Sequence, residues 1–259
     1  MPELPEVERA ARVLERAVRG KTIVALRVLH PSLARRLPLE RLAQLRGRTI
    51  ERVERRGKHQ LLHLDNGMVL HAHFRMTGDW MIGHAHDPDE RFTRAVLEFS
   101  DGTRVSLVDS RALATLTVHF SGEVPLPPLG PEPFSTAFTS EWLRHALERR
   151  RGAIKLSLLD QRVVAGLGNI YAAEALWLAR ISPRAIAARL GPERRDRLVR
   201  AIRDVLRRAP AARYTERDAG ARWRVYDREG KPCRRCGTPI ARIVQGGRST
   251  YFCPTCQRR

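Results

Sequence analysis

Two stretches of this 259-residue chain hold residues whose types and spacing can do chemistry, one near each end. The first is the opening MPELPEVE. With Met1 removed, Pro2 offers a secondary amine as a nucleophile, and Glu3, Glu6 and Glu8 follow as three carboxylates. A terminal α-amine titrates at about 7.7–8.0, so a useful fraction is neutral near pH 7. The helix expected next would place its positive dipole end beside that amine, disfavouring the ammonium and favouring the carboxylates. Taken alone, the stretch reads equally as an ordinary helix start with proline and acid in the first turn.

The second stretch pairs Cys233-x-x-Cys236 with Cys253-x-x-Cys256 across 16 residues. Two such knuckles suit one tetrahedral Zn2+ held by four thiolates, with no open position and so a structural role. Two disulfides are the alternative, but the N-terminus lacks the apolar core of a secretory signal and a cytoplasmic protein is expected. Between the knuckles, Ala241–Val244 and Ser249–Phe252 flank Gln245-Gly246-Gly247-Arg248, a hairpin pattern with Arg248 near its tip. Arg248 is then either one solvated arginine among many or a rigidly presented phosphate contact.

A formal charge of +20 makes nucleic acid the first candidate partner and an anionic membrane surface the second. No apolar run reaches the length of a membrane span. Only four of the 48 basic residues are lysines, at 21, 58, 155 and 231. An ammonium does not substitute freely for a guanidinium, which directs attention to these four. His71, His73, His84 and His86 form two His-x-His pairs; a metal site is one reading, a DNA-near strand plus a polar loop the simpler one.

The elements that must position these groups change character along the chain. Apolar residues from Val7 to Val18 keep helical spacing up to Gly20. Short strand-like runs follow at 22–28, 49–53, 60–64, 68–74, 95–99, 104–108 and 113–120, with Asn66-Gly67 and Asp101-Gly102 as hairpin turns. Ser121 to Phe134 holds five prolines and two glycines and reads as a linker. Helical periods then cover 141–149, 154–160, 170–178 and 192–208, and Gly166-Leu167-Gly168-Asn169 opens the third. A helix opened in this way exposes N–H groups that can take a phosphate, although Asn is also a common cap. The expected organisation is α+β and multidomain: a β-sandwich with a leading helix (1–120), a linker (121–134), a helix–two-turn–helix region (135–222) and a four-cysteine zinc-binding β-hairpin module (223–259).

MPELPEVE, Arg55-Arg56-Gly57-Lys58, HFRMTG at His73–Gly78, LLDQRVVAGLGNIYAAEAL at Leu158–Leu176 and the paired CxxC knuckles occur in order. Together they resemble the formamidopyrimidine-DNA glycosylase / endonuclease VIII family of repair enzymes, and the opening is more similar to the formamidopyrimidine branch. The resemblance implies a bifunctional glycosylase/AP lyase acting on duplex DNA with oxidised bases or abasic sites, followed by β/δ-elimination. It implies Pro2 as the Schiff-base nucleophile, Glu3 as acid/base group, Lys58 as a catalytic lysine on lesion-strand phosphate, and Glu6 and Lys155 in support. Met76, Arg111 and Leu113 take the positions that fill the space left by the flipped base. Asn169 and Arg248 take those that grip the flanking phosphate, and one structural zinc, a monomer and a nucleoid location complete the expectation.

The chain departs from the pattern in three places. Asp109-Ser110-Arg111-Ala112-Leu113-Ala114 replaces a DPRRFG-like segment, so Leu113 stands where the family has an aromatic wedge. Arg75 stands where the formamidopyrimidine branch has Gly. Only Pro210 to Arg222 separate the last helix from an expected strand at Trp223, which implies a shortened lesion-capping loop. Oxidised pyrimidines therefore join formamidopyrimidine and 8-oxoguanine as candidate substrates. A damaged-DNA binder with weak or no activity is the competing class; a zinc-finger regulator leaves the opening stretch unexplained.

Overall fold

The computed structural model describes residues 1–123, 125–209 and 223–258. The chain divides into two compact units, Met1–Pro127 and Pro128–Pro210 with Arg217–Arg259, apart from a short piece outside the described residues.

The first unit begins with α1 (Leu4–Val18), whose Leu4, Val7, Ala10, Ala11, Leu14 and Val18 are buried along one face. Eight strands follow as two antiparallel four-stranded sheets: β1 (Ile23–Val28), β6 (Thr93–Phe99), β7 (Thr103–Val108) and β5 (Asp79–His84) in that order, and β2 (Ile50–Arg56), β3 (His59–Leu64), β4 (Val69–His73) and β8 (Thr115–His119). Inward positions such as Leu62, Leu70, Leu97, Leu107 and Leu116 share one core with Leu14 and Val18 of α1. This is the expected sandwich with a leading helix. Removing this apolar surface from water, at about 25 cal/mol per Å2, is what drives the sheets and helix together.

Three details differ from expectation. β5 carries no sequence alternation because it is an edge strand that buries only Trp80 and leaves Ile82 exposed. The Leu- and Arg-rich stretch after β1 forms two short helices, α2 (Pro31–Ala34) and α3 (Leu39–Ala43), too short to show a helical period. β8 starts at Thr115, so Leu113 sits in the preceding turn rather than in the strand.

The second unit packs α4 (Ser140–Leu147), α5 (Ile154–Leu159), α6 (Asn169–Leu178) and α7 (Pro192–Arg207), with a 3-10 turn at Ala187–Arg189, beside a hairpin of β9 (Ala241–Gln245) and β10 (Arg248–Phe252). Ile170 through Trp177 are buried without interruption, so α6 is the central helix. α7 buries Leu198, Val199, Ala201, Ile202, Val205 and Leu206 along one face and carries arginines on the other. Trp223 is buried but forms no strand; Glu174 captures the backbone after it instead, as described below. The expected short loop, 210–222, lies outside the described residues. No described helix is long and apolar enough to cross a membrane.

Candidate functional site

In the first unit the opening stretch is both a helix cap and a cluster of buried acids. Glu3 and Glu6 form a reciprocal capping box: the Glu3 side chain accepts from the Glu6 backbone, and the Glu3 N–H donates to the Glu6 carboxylate at 2.8 Å. Both carboxylates are almost fully buried, and Pro2 beside them is buried too. The two readings of this stretch are therefore compatible, because capping holds the acids at fixed positions next to Pro2. Pro2 lines a small pocket with Glu6, Arg9, Phe74 and Asp79. Arg9 donates to both Asp79 oxygens, at 3.1 and 3.3 Å, and nothing in the spacing of the two residues signals that pair.

Lys58 follows Gly57 in the turn between β2 and β3 and is 5% exposed. Gly57 adopts φ 61°, which glycine reaches without strain. Glu8 packs against this ribbon. Burial pushes its carboxyl up, but hydrogen bonds and charge from Arg55 and Arg12 outweigh that and hold it below its ordinary value. Glu8 thus ties α1 to β2 rather than joining Glu3 and Glu6.

Met76 lies in the turn between β4 and β5, and Arg111 and Leu113 in the loop between β7 and β8. Arg75 has φ 54°, in the left-handed region that glycine reaches with less strain. Gly78 closes the same turn; a Cβ there would lie 2.8 Å from the Phe74 carbonyl oxygen. Arg111 is exposed, and Leu113 is 45% exposed.

His71 and His73 join His59 and His119 in a cluster along one face of the second sheet. His59 Nδ1 and His71 Nε2 are 2.8 Å apart, and the His73 ring stands edge-on to His59 at 4.8 Å. Burial pushes His59 down to about 4, with smaller contributions from Arg75 and Lys58, and His71 and His73 to about 3, with smaller contributions from neighbouring histidines and Arg75. His84 ends β5 and His86 follows in a turn, both exposed.

In the second unit three expected residues come together. Asn169 opens α6 and donates from Nδ2 to the Ser249 carbonyl at 3.1 Å. Lys155, with no exposed surface, donates from Nζ to that same carbonyl at 3.1 Å and to Thr250 Oγ1 at 2.6 Å. Arg248 is the adjacent residue and is exposed. Leu156 seats the hairpin tip so closely that a Cβ on Gly246 would lie 3.0 Å from it. Gln161 braces the glycine loop ahead of α6, donating to Leu167 O and accepting from Gly166 N. Glu174 accepts from the backbone N–H groups of Arg224, Val225 and Tyr226. Spacing does not single out Gln161 or Glu174.

The four cysteine sulfurs lie within 4.8 Å of one another, the only such group of metal-ligating atoms among the described residues. Trp177 Nε1 and the Cys256 N–H point at sulfurs at 3.4 Å, the outer hydrogen bonds that thiolate ligands accept. The donor set fits one structural Zn2+.

Comparisons with known proteins agree along the whole chain. Residues 1–116 match the formamidopyrimidine-DNA glycosylase N-terminal domain, 129–217 its H2TH domain, and 230–259 the zinc finger found in FPG and IleRS. The formamidopyrimidine-DNA glycosylase of Pelotomaculum thermopropionicum is 42% identical, covering 100% of this chain and 99% of its own. That of Bacillus subtilis is 38% identical over the full length of both. Among solved structures, Lactococcus lactis Fpg bound to DNA with an AP site superposes with a TM-score of 0.89 at 32% identity, covering 99% of this chain and 100% of that one. MutM in complex with DNA containing carbocyclic 8-oxo-G gives 0.91 at 32% identity, with full coverage of both. With three domain matches in chain order and relatives about 40% identical over their full length, this chain belongs to the formamidopyrimidine-DNA glycosylase family.

Proposed function

We propose that this glycosylase is bifunctional, removing an oxidised base from duplex DNA and then cleaving the strand as an AP lyase. The observation that carries this reading is the buried trio of Pro2, Glu3 and Glu6 at a capped helix start, with Pro2 and Glu6 lining a pocket. With Met1 removed, the Pro2 nitrogen lone pair attacks C1′ of a nucleotide flipped out of the stack. The glycosidic bond breaks, its electron pair leaves with the base, and the base takes up a proton. Glu3 protonates the sugar ring oxygen as the ring opens, leaving an iminium between Pro2 and C1′. That cation acidifies the C2′ proton; Glu3, left as a carboxylate, takes that proton, the C–H electron pair forms the C2′–C3′ double bond and the 3′ phosphate departs with its own pair, and loss of the 5′ phosphate is the δ step. Glu6 supports by holding the Glu3 backbone, and Lys58 holds phosphate of the lesion strand.

Asn169 and Arg248 grip the phosphate flanking the flipped nucleotide, contacts that position the strand without reading sequence. Met76, Arg111 and Leu113 fill the vacated space, Arg111 facing the orphaned base. The protein acts on chromosomal DNA as a monomer. The similar solved structures hold DNA with an AP site, with carbocyclic 8-oxo-G or, in a Lactococcus lactis mutant, with Fapy-dG, so an abasic site, 8-oxoguanine, formamidopyrimidine and thymine glycol form the substrate panel.

Borohydride trapping on that panel is the test. Wild-type protein forms a covalent adduct on at least the abasic duplex, and Pro2→Gly loses it while still binding DNA. Intact mass checks that Met1 has been removed. DNA binding with no adduct on any lesion would leave the second reading, a damage binder with weak activity, which the non-aromatic Leu113 favours.

A further inference from the structure

Asp109 has no role in the chemistry above, yet it is completely buried and its carboxylate takes four donors. Oδ1 accepts from the Thr77 hydroxyl and from the Arg111 N–H at 3.1 Å; Oδ2 accepts from Leu113 N–H at 2.6 Å and Ala114 N–H at 2.7 Å. Thr77 follows Met76 in the turn after β4, whereas Arg111 and Leu113 lie in the loop after β7. One side chain therefore closes both segments that carry the void-filling residues. Its own backbone is pinned as well: Asp109 N–H donates to Phe92 O at 3.0 Å, and its carbonyl accepts from Arg94 Nε at 2.7 Å and Ala112 N–H at 3.2 Å.

Each segment also contains a non-glycine residue in the left-handed region, Arg75 at φ 54° and Ala112 at φ 51°. Such positions persist only where surrounding bonds over-determine them. Ala112 is held between Arg111 and Leu113, whose N–H groups make charge-assisted bonds to the carboxylate, while Arg75 donates its own N–H to His73 Nδ1 at 2.9 Å and stands two residues before Thr77. An apolar wedge alone would splay independently of its neighbour; one joined at a shared anion enters and leaves with it.

We infer that Asp109 is a positioning residue that couples Met76 to Arg111 and Leu113, so that filling the void and facing the orphaned base occur as one event. This rests on the assignment of those three residues as the void-filling group. Neutral Asn cannot replace Asp109, because its NH2 would confront donors on one side. Thr77→Val cuts the link to the Met76 turn alone, and Thr77→Ser keeps it.

The experiment compares borohydride trapping rates at an abasic site in a duplex and in single-stranded DNA, which has no orphaned base and no void. Asp109→Asn is expected to slow duplex trapping by about tenfold or more, and Thr77→Val by roughly threefold, with Thr77→Ser near wild type. Both losses should be much smaller on single-stranded DNA. In the Met76→Ala background, Thr77→Val should add almost nothing, the non-additivity of a coupled pair. Equal losses on both substrates, or additive effects with Met76→Ala, would overturn the coupling. Wild-type protein that traps neither substrate would instead refute the proposed lyase chemistry.

Discussion

Lys155 shows how a residue legible by its place in a motif acquires its role only in the fold. Its ammonium is fully buried and points at the carbonyl of Ser249, next to Arg248, the same oxygen that Asn169 approaches. Burying a cation is costly unless its bonds are well made, and here they order the hairpin that presents Arg248. Lys155→Met should leave the Ser249 carbonyl and Thr250 hydroxyl short of a donor. Binding to an abasic-analogue duplex is expected to weaken about tenfold, the equivalent of ~1.4 kcal/mol, measured by fluorescence anisotropy with zinc content as the folding control. Unchanged affinity with a slower chemical step would instead mean that Lys155 touches the lesion. The four cysteines needed no such help, because their spacing alone defines a metal site.

At the level of elements, the strands that alternate were legible and the one that does not was missed. β5 buries a single large side chain, so its period is lost, and its place at the sheet edge is set by pairing with β7. The turn leading into it depends on Gly78, whose missing Cβ lets the chain pass the Phe74 carbonyl. Gly78→Ala forces that backbone apart and is expected to cost about 1–3 kcal/mol, read as a fall in unfolding free energy in urea. Duplex trapping should fall with it, since the same turn carries Met76. Stability and trapping both equal to wild type would show that the turn relaxes without loss.

For the molecule as a whole, the charge of +20 announces a polyanionic partner but says nothing about acid stability. The histidine cluster sets the onset of its loss on the acid side, before the carboxylates titrate. Burial holds His59, His71 and His73 neutral down to about pH 4, 3 and 3, whereas in the unfolded chain they protonate near pH 6.5. Between those values the unfolded state binds more protons, so stability is full above pH 6.5 and falls as the pH drops toward 4. The melting temperature should decline over pH 6.5–5, above the range of most carboxylates, and His71→Gln should flatten that decline. A wild-type profile flat from pH 7 to 5 would refute it.

Local chemistry was available from the sequence: the acids around Pro2, the zinc knuckles, the glycine loop before Asn169 and most of the strands. Each rests on residues a few positions apart, where spacing and backbone geometry act directly. Tertiary structure alone decided that Asp109 joins two segments, with Thr77 32 positions away, and that Lys155 reaches Thr250 across 95. It also decided that Arg9 faces Asp79 and that four histidines from three strands share one face. Such contacts depend on how sheets and helices pack, and side-chain periodicity records which face is buried but not what it meets.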